Sequence, residues 1–300
     1  MRREFADIIT EIASHDDRAV VLLGDISHYL LEEYEKKFPH RFYNVGICEQ
    51  TIVSMAAGLA MEGMLPVVHT IAPFCVERAY EQIKVDLCYQ NLDVTIVSVG
   101  GSFDYAHLGC THHCYEDISI LRALPNIDLF APGTKGELNS LFRKTWGNGR
   151  PKYFKLSATE HTVSLESQCG ETDPYECKVV REGSDSVVFV NGHLLDRVLA
   201  AAPTSTVIYL STISPISKHS KKIISDMMKS HHRVFCVEEN SKIGALGDEI
   251  YNIASEYEVR THIKKIGIPL EFLENYGKAE EHRQKIGLTV EDIRMEISGE

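Results

Sequence analysis

A lone carboxylate, an aromatic–cation pair and a loop dense in histidine and cysteine are the residues of this chain best suited to chemistry. Glu49 follows the run Arg41-Phe-Tyr-Asn-Val-Gly-Ile-Cys48, in which Gly46 interrupts an aromatic and β-branched stretch. Behind it, Ile52, Met55, Ala56, Leu59 and Ala60 recur at i, i+3, i+4 spacing, the mark of a helix with one apolar face. An acid in the first turn of such a helix complements its dipole, an effect of about 0.3–1 kcal/mol, and that role alone accounts for Glu49. Phe74 is followed by Arg78 and Gln82 at successive helical turns, and by itself reads as a core aromatic opening a helix. His107, Cys110, His112, His113 and Cys114 are ligand types that suit zinc. Their spacing is too tight for paired zinc knuckles and no second Cys/His pair follows, so zinc is the weaker reading.

The elements that must position these groups alternate. An amphipathic helix over Phe5 to Ala13 precedes a buried strand, Ala19-Val-Val-Leu-Leu, that ends at Gly24-Asp25. A helix covers roughly Tyr29 to Phe38, and Pro39-His-Arg41 leads into the Glu49 segment. Further strands are Pro66-Val-Val-His-Thr and Val94-Thr-Ile-Val-Ser-Val, with a helix from about Val76 to Tyr89 between them. Strand–helix alternation at this spacing predicts a parallel sheet covered on both faces, with ligands beyond the carboxyl ends of its strands. Glu49 and the loop after Val99 belong at that edge. From about Glu160 to Lys178 the chain turns polar, with Gly170, Asp173 and Pro174, and reads as a linker. A second α/β unit follows, with strands Ser186-Val-Val-Phe-Val, Thr206-Val-Ile-Tyr-Leu and Arg233-Val-Phe-Cys-Val-Glu, and helices near Leu194–Ala202, Ser220–Lys229 and Gly247–Ser255. The domains are thus expected at 1–165 and 181–300, joined by 166–180.

Composition sets the class. Three hundred residues, 44% hydrophobic and 25% charged, are ordinary globular material on the scale of two domains. A net charge of -12 argues against a nucleic-acid partner. No apolar run approaches the ~20 residues of a membrane span, and no signal-peptide core opens the chain. The eight cysteines lack framework spacing, which fits reduced thiols in the cytoplasm.

Asn44-Val-Gly-Ile-Cys-Glu-Gln50 resembles the signature of the pyrimidine-binding domain of transketolases and deoxyxylulose-phosphate synthases, enzymes that use thiamine diphosphate. The resemblance implies that Glu49 hydrogen-bonds the cofactor's aminopyrimidine and favours the imino tautomer that activates the thiazolium carbon. Ala72-Pro-Phe74-Cys-Val-Glu-Arg78 is similar to the segment whose phenylalanine stacks on the pyrimidine, which assigns Phe74 and its neighbour Arg78 to the cofactor. Asp25 stands where transketolases carry an acid near the cofactor, although a strand-end turn residue explains it equally well. Gly109-Cys-Thr-His112 resembles the family's Gly-x-Thr-His motif, whose histidine contacts substrate oxygen and moves protons. That role falls to His112, with His113 the neighbouring alternative. Asn191-Gly-His, Ile213-Ser-Pro-Ile, Val237-Glu-Glu-Asn and Gly244-Ala-Leu-Gly247 resemble the transketolase C-terminal domain.

Two positions depart from the family. An aspartate that reads a substrate hydroxyl is replaced by Leu108, and a phosphate-binding arginine by Ala158; Lys155, a point charge on the preceding strand, is the nearby substitute. The Gly-Asp-Gly motif that holds diphosphate through Mg2+ is also missing, since Gly24-Asp25 is followed by Ile26, and no oxygen-ligand set for that ion is found. The resemblance therefore implies half an active site. Its expected context is a two-plus-two heterotetramer in which a separate N-terminal subunit holds the diphosphate and Mg2+, transferring a two-carbon ketol unit between sugars, at least one of them atypical. A beta subunit of a 2-oxo acid dehydrogenase and a non-catalytic regulatory partner are the alternatives.

Overall fold

The structure is a computed structural model that describes residues 1–165 and 173–299. Its first sheet takes β1 (Ala19–Leu23), β2 (Phe42–Asn44), β3 (Leu65–Ile71), β4 (Thr95–Val99), β5 (Asp128–Phe130) and β6 (Lys152–Lys155) from the N-terminal half. These six are parallel, in the order β5-β6-β4-β3-β1-β2. The second sheet is built from β7 (Lys178–Arg181), β8 (Val187–Asn191), β9 (Thr206–Leu210), β11 (Val234–Ser241) and β12 (Ile263–Ile268), and only β7 runs antiparallel. β10 (Thr212–Ser214) leaves its own domain and pairs antiparallel with β5 at the edge of the first sheet. The expected architecture, two mainly parallel sheets flanked by helices, is the one observed.

Burial on both faces explains the unbroken apolar strands. Val20, Leu22, Val68 and Ile96 enter one core, while their neighbours Val21, Leu23, Val67 and Val97 enter the other. Phe5, Ile9 and Phe142, from the helices Arg2–Ala13 and Lys135–Thr145, close the second of these faces. The first core continues through Leu129 and Ile213 to Phe189 and Ile250 of the C-terminal unit, so apolar packing crosses the domain boundary.

Several details depart from the sequence pattern. The helix expected over Val76 to Tyr89 is broken into Ala72–Val76, Tyr80–Gln82 and a π-helical turn at Ile83–Cys88. The break releases Glu77 to Ala79 from regular geometry, and Arg78 lies within it. The helix Lys135–Thr145 is not among the expected elements, although Thr134 and Glu137 form a sequence-level start signal and Thr134 Oγ1 accepts the Glu137 N–H at 3.2 Å. Of the expected linker, 166–172 lies outside the described residues, and Lys178 already belongs to β7. No helix among the described residues is long and apolar enough to cross a membrane.

Candidate functional site

Parallel register brings one end of every strand to a common edge. Leu23 is level with His69, Ile71 with Val99, and Ser98 with Lys155. The loops that hold Asp25, Glu49, Phe74, His112 and Ala158 all leave from that edge.

Gly46, at φ +85°, turns the chain between β2 and the helix Glu49–Met61, a left-handed conformation that suits glycine. Glu49, the first residue of that helix, is only 2% exposed. Arg78 Nη1 donates to Glu49 Oε2 at 2.9 Å, and its guanidinium carbon lies 4.5 Å from the centroid of the Phe74 ring. Phe74, partly exposed, meets the His112 ring edge-on at 5.1 Å. His112 Nδ1 lies 2.9 Å from Thr111 Oγ1, and Tyr105 flanks the ring at 6.2 Å. Glu49, Arg78, Phe74 and His112 therefore form one continuous chain of contacts.

Burial shapes the electrostatics of His112 and of the Cys75 thiol. Burial, followed by the charge of His107, holds the His112 imidazole below its ordinary value. Burial and the nearby Glu49 push the Cys75 thiol up to about 12, which removes it as a nucleophile. Glu77, on the turn beside Arg78, is raised to about 7 by burial and by Glu116. No three His, Cys, Asp or Glu side chains converge on a metal-sized site among the described residues. Cys48, Cys75, Cys88, Cys110, Cys114 and Cys236 form no disulfides, and Cys169 lies outside the described residues.

Three sequence candidates stand apart from this chain of contacts. Asp25 adopts φ +57° and exchanges two hydrogen bonds with Asn44, each of 3.1 Å, tying the loop after β1 to the end of β2. His113 is buried against Phe103, Tyr115 and His282, away from the exposed face of the loop. Lys155 is buried as well, and its Nζ donates to Asp117 Oδ1 at 2.9 Å and to Asn240 Oδ1 at 2.7 Å. Burial opposes its charge, but Asp117 together with Cys114 and Glu239 holds the ammonium above the ordinary lysine value. Lys155 thus bridges the two domains, its ammonium held by a side chain from each.

No sequence motif points to the pair Asp104 and Ala158. The Ala158 N–H donates to Asp104 Oδ2 at 2.9 Å, joining the loop after β6 to the loop after β4. These residues are 54 apart in the chain. Only the adjacency of β4 and β6 brings them together.

The residues present suit an aminopyrimidine. Glu49 Oε2 is taken by Arg78, while Oε1 accepts no hydrogen bond among the described residues, so a buried carboxylate keeps one oxygen for a ring donor. Phe74 supplies an aromatic surface beside it.

Comparison with known proteins identifies the domains. Residues 1–160 match the transketolase pyrimidine-binding domain, and residues 175–293 match the transketolase C-terminal domain. A subunit of the apulose-4-phosphate transketolase of Actinobacillus succinogenes is 28% identical over 264 residues, covering 87% of this chain and 85% of that one. 1-deoxy-D-xylulose-5-phosphate synthase of Syntrophus aciditrophicus is 30% identical over 289 residues, which are 93% of this chain and 44% of the synthase, so the chain spans under half of that relative. Among solved structures, a split-gene transketolase described as an inactive beta4 tetramer superposes with TM-score 0.86 and 26% identity, covering 99% of this chain and 96% of its own. With both domain families matched in order along nearly its whole length, the chain belongs to the transketolase family.

Proposed function

We propose that this chain is one subunit of a heteromeric, thiamine diphosphate-dependent transketolase of the cytoplasm, moving a two-carbon ketol unit between sugars. A second subunit supplies the site for the diphosphate and Mg2+, and two copies of each assemble as a two-plus-two complex. The observation that carries this reading is the contact chain from Glu49 through Arg78 and Phe74 to His112, in which Glu49 Oε1 accepts nothing from the described residues. The relatives support a subunit role: one is a transketolase subunit, and another is described as an inactive split-gene tetramer.

When bound, thiamine diphosphate supplies the carbon nucleophile that such a transfer needs. Glu49 shares a proton with the aminopyrimidine through Oε1, a task suited to a carboxylate excluded from water. Arg78 fixes the orientation of that carboxylate by holding Oε2. Phe74 offers its ring as the stacking surface. His112 engages Thr111 through Nδ1, which leaves Nε2 to accept and return a proton at a sugar oxygen, and its lowered basicity keeps it neutral and ready to accept near pH 7. The acceptor is atypical, because the rim presents Leu108 and Ala158 and the nearest lysine is committed to the domain seam.

Reconstitution tests the proposal. The purified chain with cofactor and Mg2+ should show no ketol transfer, and transfer should appear on adding a diphosphate-domain subunit. Turnover by the single chain would refute the divided site. Oxidative decarboxylation of a 2-oxo acid by the mixture would identify a dehydrogenase component, and a mixture that binds but never turns over would identify a regulatory partner.

A further inference from the structure

We propose that Asp104 reads the far end of the acceptor, and that the site selects sugars whose terminal group donates hydrogen bonds and carries no phosphate. The inference rests on the transketolase reading of the same site and adds the class of substrate to it. Its basis is the pairing of two loops at the carboxyl edge of the first sheet. Ala158 is exposed and contributes only a methyl group, while its N–H is engaged by Asp104 Oδ2. Asp104 Oδ1 accepts no hydrogen bond among the described residues and remains for a ligand donor. Tyr105, the next residue, stands 6.2 Å from the His112 ring, so the loop that carries Asp104 also flanks the candidate site.

The cations nearest this carboxylate already have partners. Lys155 is buried between Asp117 and Asn240, His193 Nε2 lies 3.3 Å from Glu239, and Arg283 donates through Nε and Nη2 to the two oxygens of Glu239. The rim also presents apolar surface: Leu108 is 42% exposed, and the ring of Tyr276 lies against Gly109, where an added Cβ would come within 2.7 Å of it. Burial raises the Asp104 carboxyl to about 6 against the pull of the Ala158 N–H, so it is mostly ionised near neutral pH. A phosphate at this position meets a carboxylate of like charge with no uncommitted counter-ion, and such juxtaposition is strongly unfavourable. A hydroxyl or an ammonium donates to Oδ1. A buried polar group built to pair with a donor discriminates sharply against ligands that lack one.

The test uses the chain reconstituted with its diphosphate-binding subunit and two probes, D-ribose and D-ribose 5-phosphate. With hydroxypyruvate as the donor, kcat/KM should favour ribose by about tenfold or more, in line with like-charge exclusion. Asp104→Asn keeps the acceptor for the Ala158 N–H, so it should fold normally, while its selectivity falls toward unity through the KM values. Ala158→Arg should invert the preference. Wild-type preference for the phosphate ester, or a ratio unmoved by Asp104→Asn, overturns the inference. Calorimetric binding of the two aldoses to the same complex decides it independently of turnover: tighter binding of ribose supports it and tighter binding of the ester overturns it. Absence of turnover alone counts against the proposed activity.

Discussion

Two regions of this molecule bury charged and polar side chains, and they differ in how much bonding capacity those groups retain. Along the domain seam most polar atoms are paired. Asp117 accepts from Lys155 and from Tyr153, at 2.9 and 2.7 Å, and Tyr153 also meets Ser98 at 2.7 Å. Glu137 accepts from Gly133 and Tyr209 and lies 2.9 Å from His161 Nε2. At the candidate site the groups are only partly satisfied. Glu49 keeps one oxygen, His112 keeps one ring nitrogen, and Phe74 keeps part of its ring in solvent. Burial of an ionisable residue therefore does not distinguish function from structure here. The residual bonding capacity of Glu49 and His112 at the strand-end edge is what supports the proposed site.

Glu49→Gln should give the sharpest break between the regions. We expect kcat of the reconstituted complex to fall roughly 10³–10⁴-fold, about 4–5 kcal/mol of barrier, with assembly, thermal stability and most cofactor affinity retained. Near-normal turnover would return Glu49 to the helix-dipole role that its position alone supports.

The converse experiment is Lys155→Met. Removing one partner of a buried ion pair strands Asp117, which costs about 3–5 kcal/mol of stability and should shift the denaturant midpoint strongly. Adding Asp117→Asn should recover part of the loss. If Lys155→Met instead left stability intact and raised KM for a phosphorylated sugar, the lysine would belong to the substrate site and the contrast would fail.

His112→Ala tests whether the open imidazole works as a proton carrier. A loss of roughly 10²-fold in kcat, about 2.7 kcal/mol, with little change in folding is expected, since proton transfer by a positioned side chain contributes at that level. A pH–rate profile whose acid limb survives the substitution would assign that limb to another group.

The smallest effect belongs to the seam. Tyr209→Phe removes one of the donors to Glu137 Oε2 and leaves the Gly133 N–H in place. That should cost about 1–2 kcal/mol in equilibrium unfolding while kcat of the complex stays unchanged. A matching loss of activity would mean that the domain interface and the reaction are coupled.

The sequence alone determined several of the strands and the chemical types at the edge. Ala19–Leu23 and Thr206–Leu210 are legible to the residue, because strands buried on both faces must be continuously apolar. Glu49, Phe74, Arg78 and His112 are legible because a local pattern of glycine, acid, aromatic and histidine survives in the linear chain. Tertiary structure alone decided which polar groups were already engaged. Lys155 reads as a rim cation until β6 places it beside Asp117 and Asn240, the latter 85 residues away. His113, adjacent to His112, turns into a buried aromatic cluster with Phe103 and His282. β10 crosses into the first sheet, and Asp104 meets Ala158 across two loops. Each of these outcomes depends on partners distant in sequence, and hydrogen-bond satisfaction is a property of such partners rather than of the residue itself.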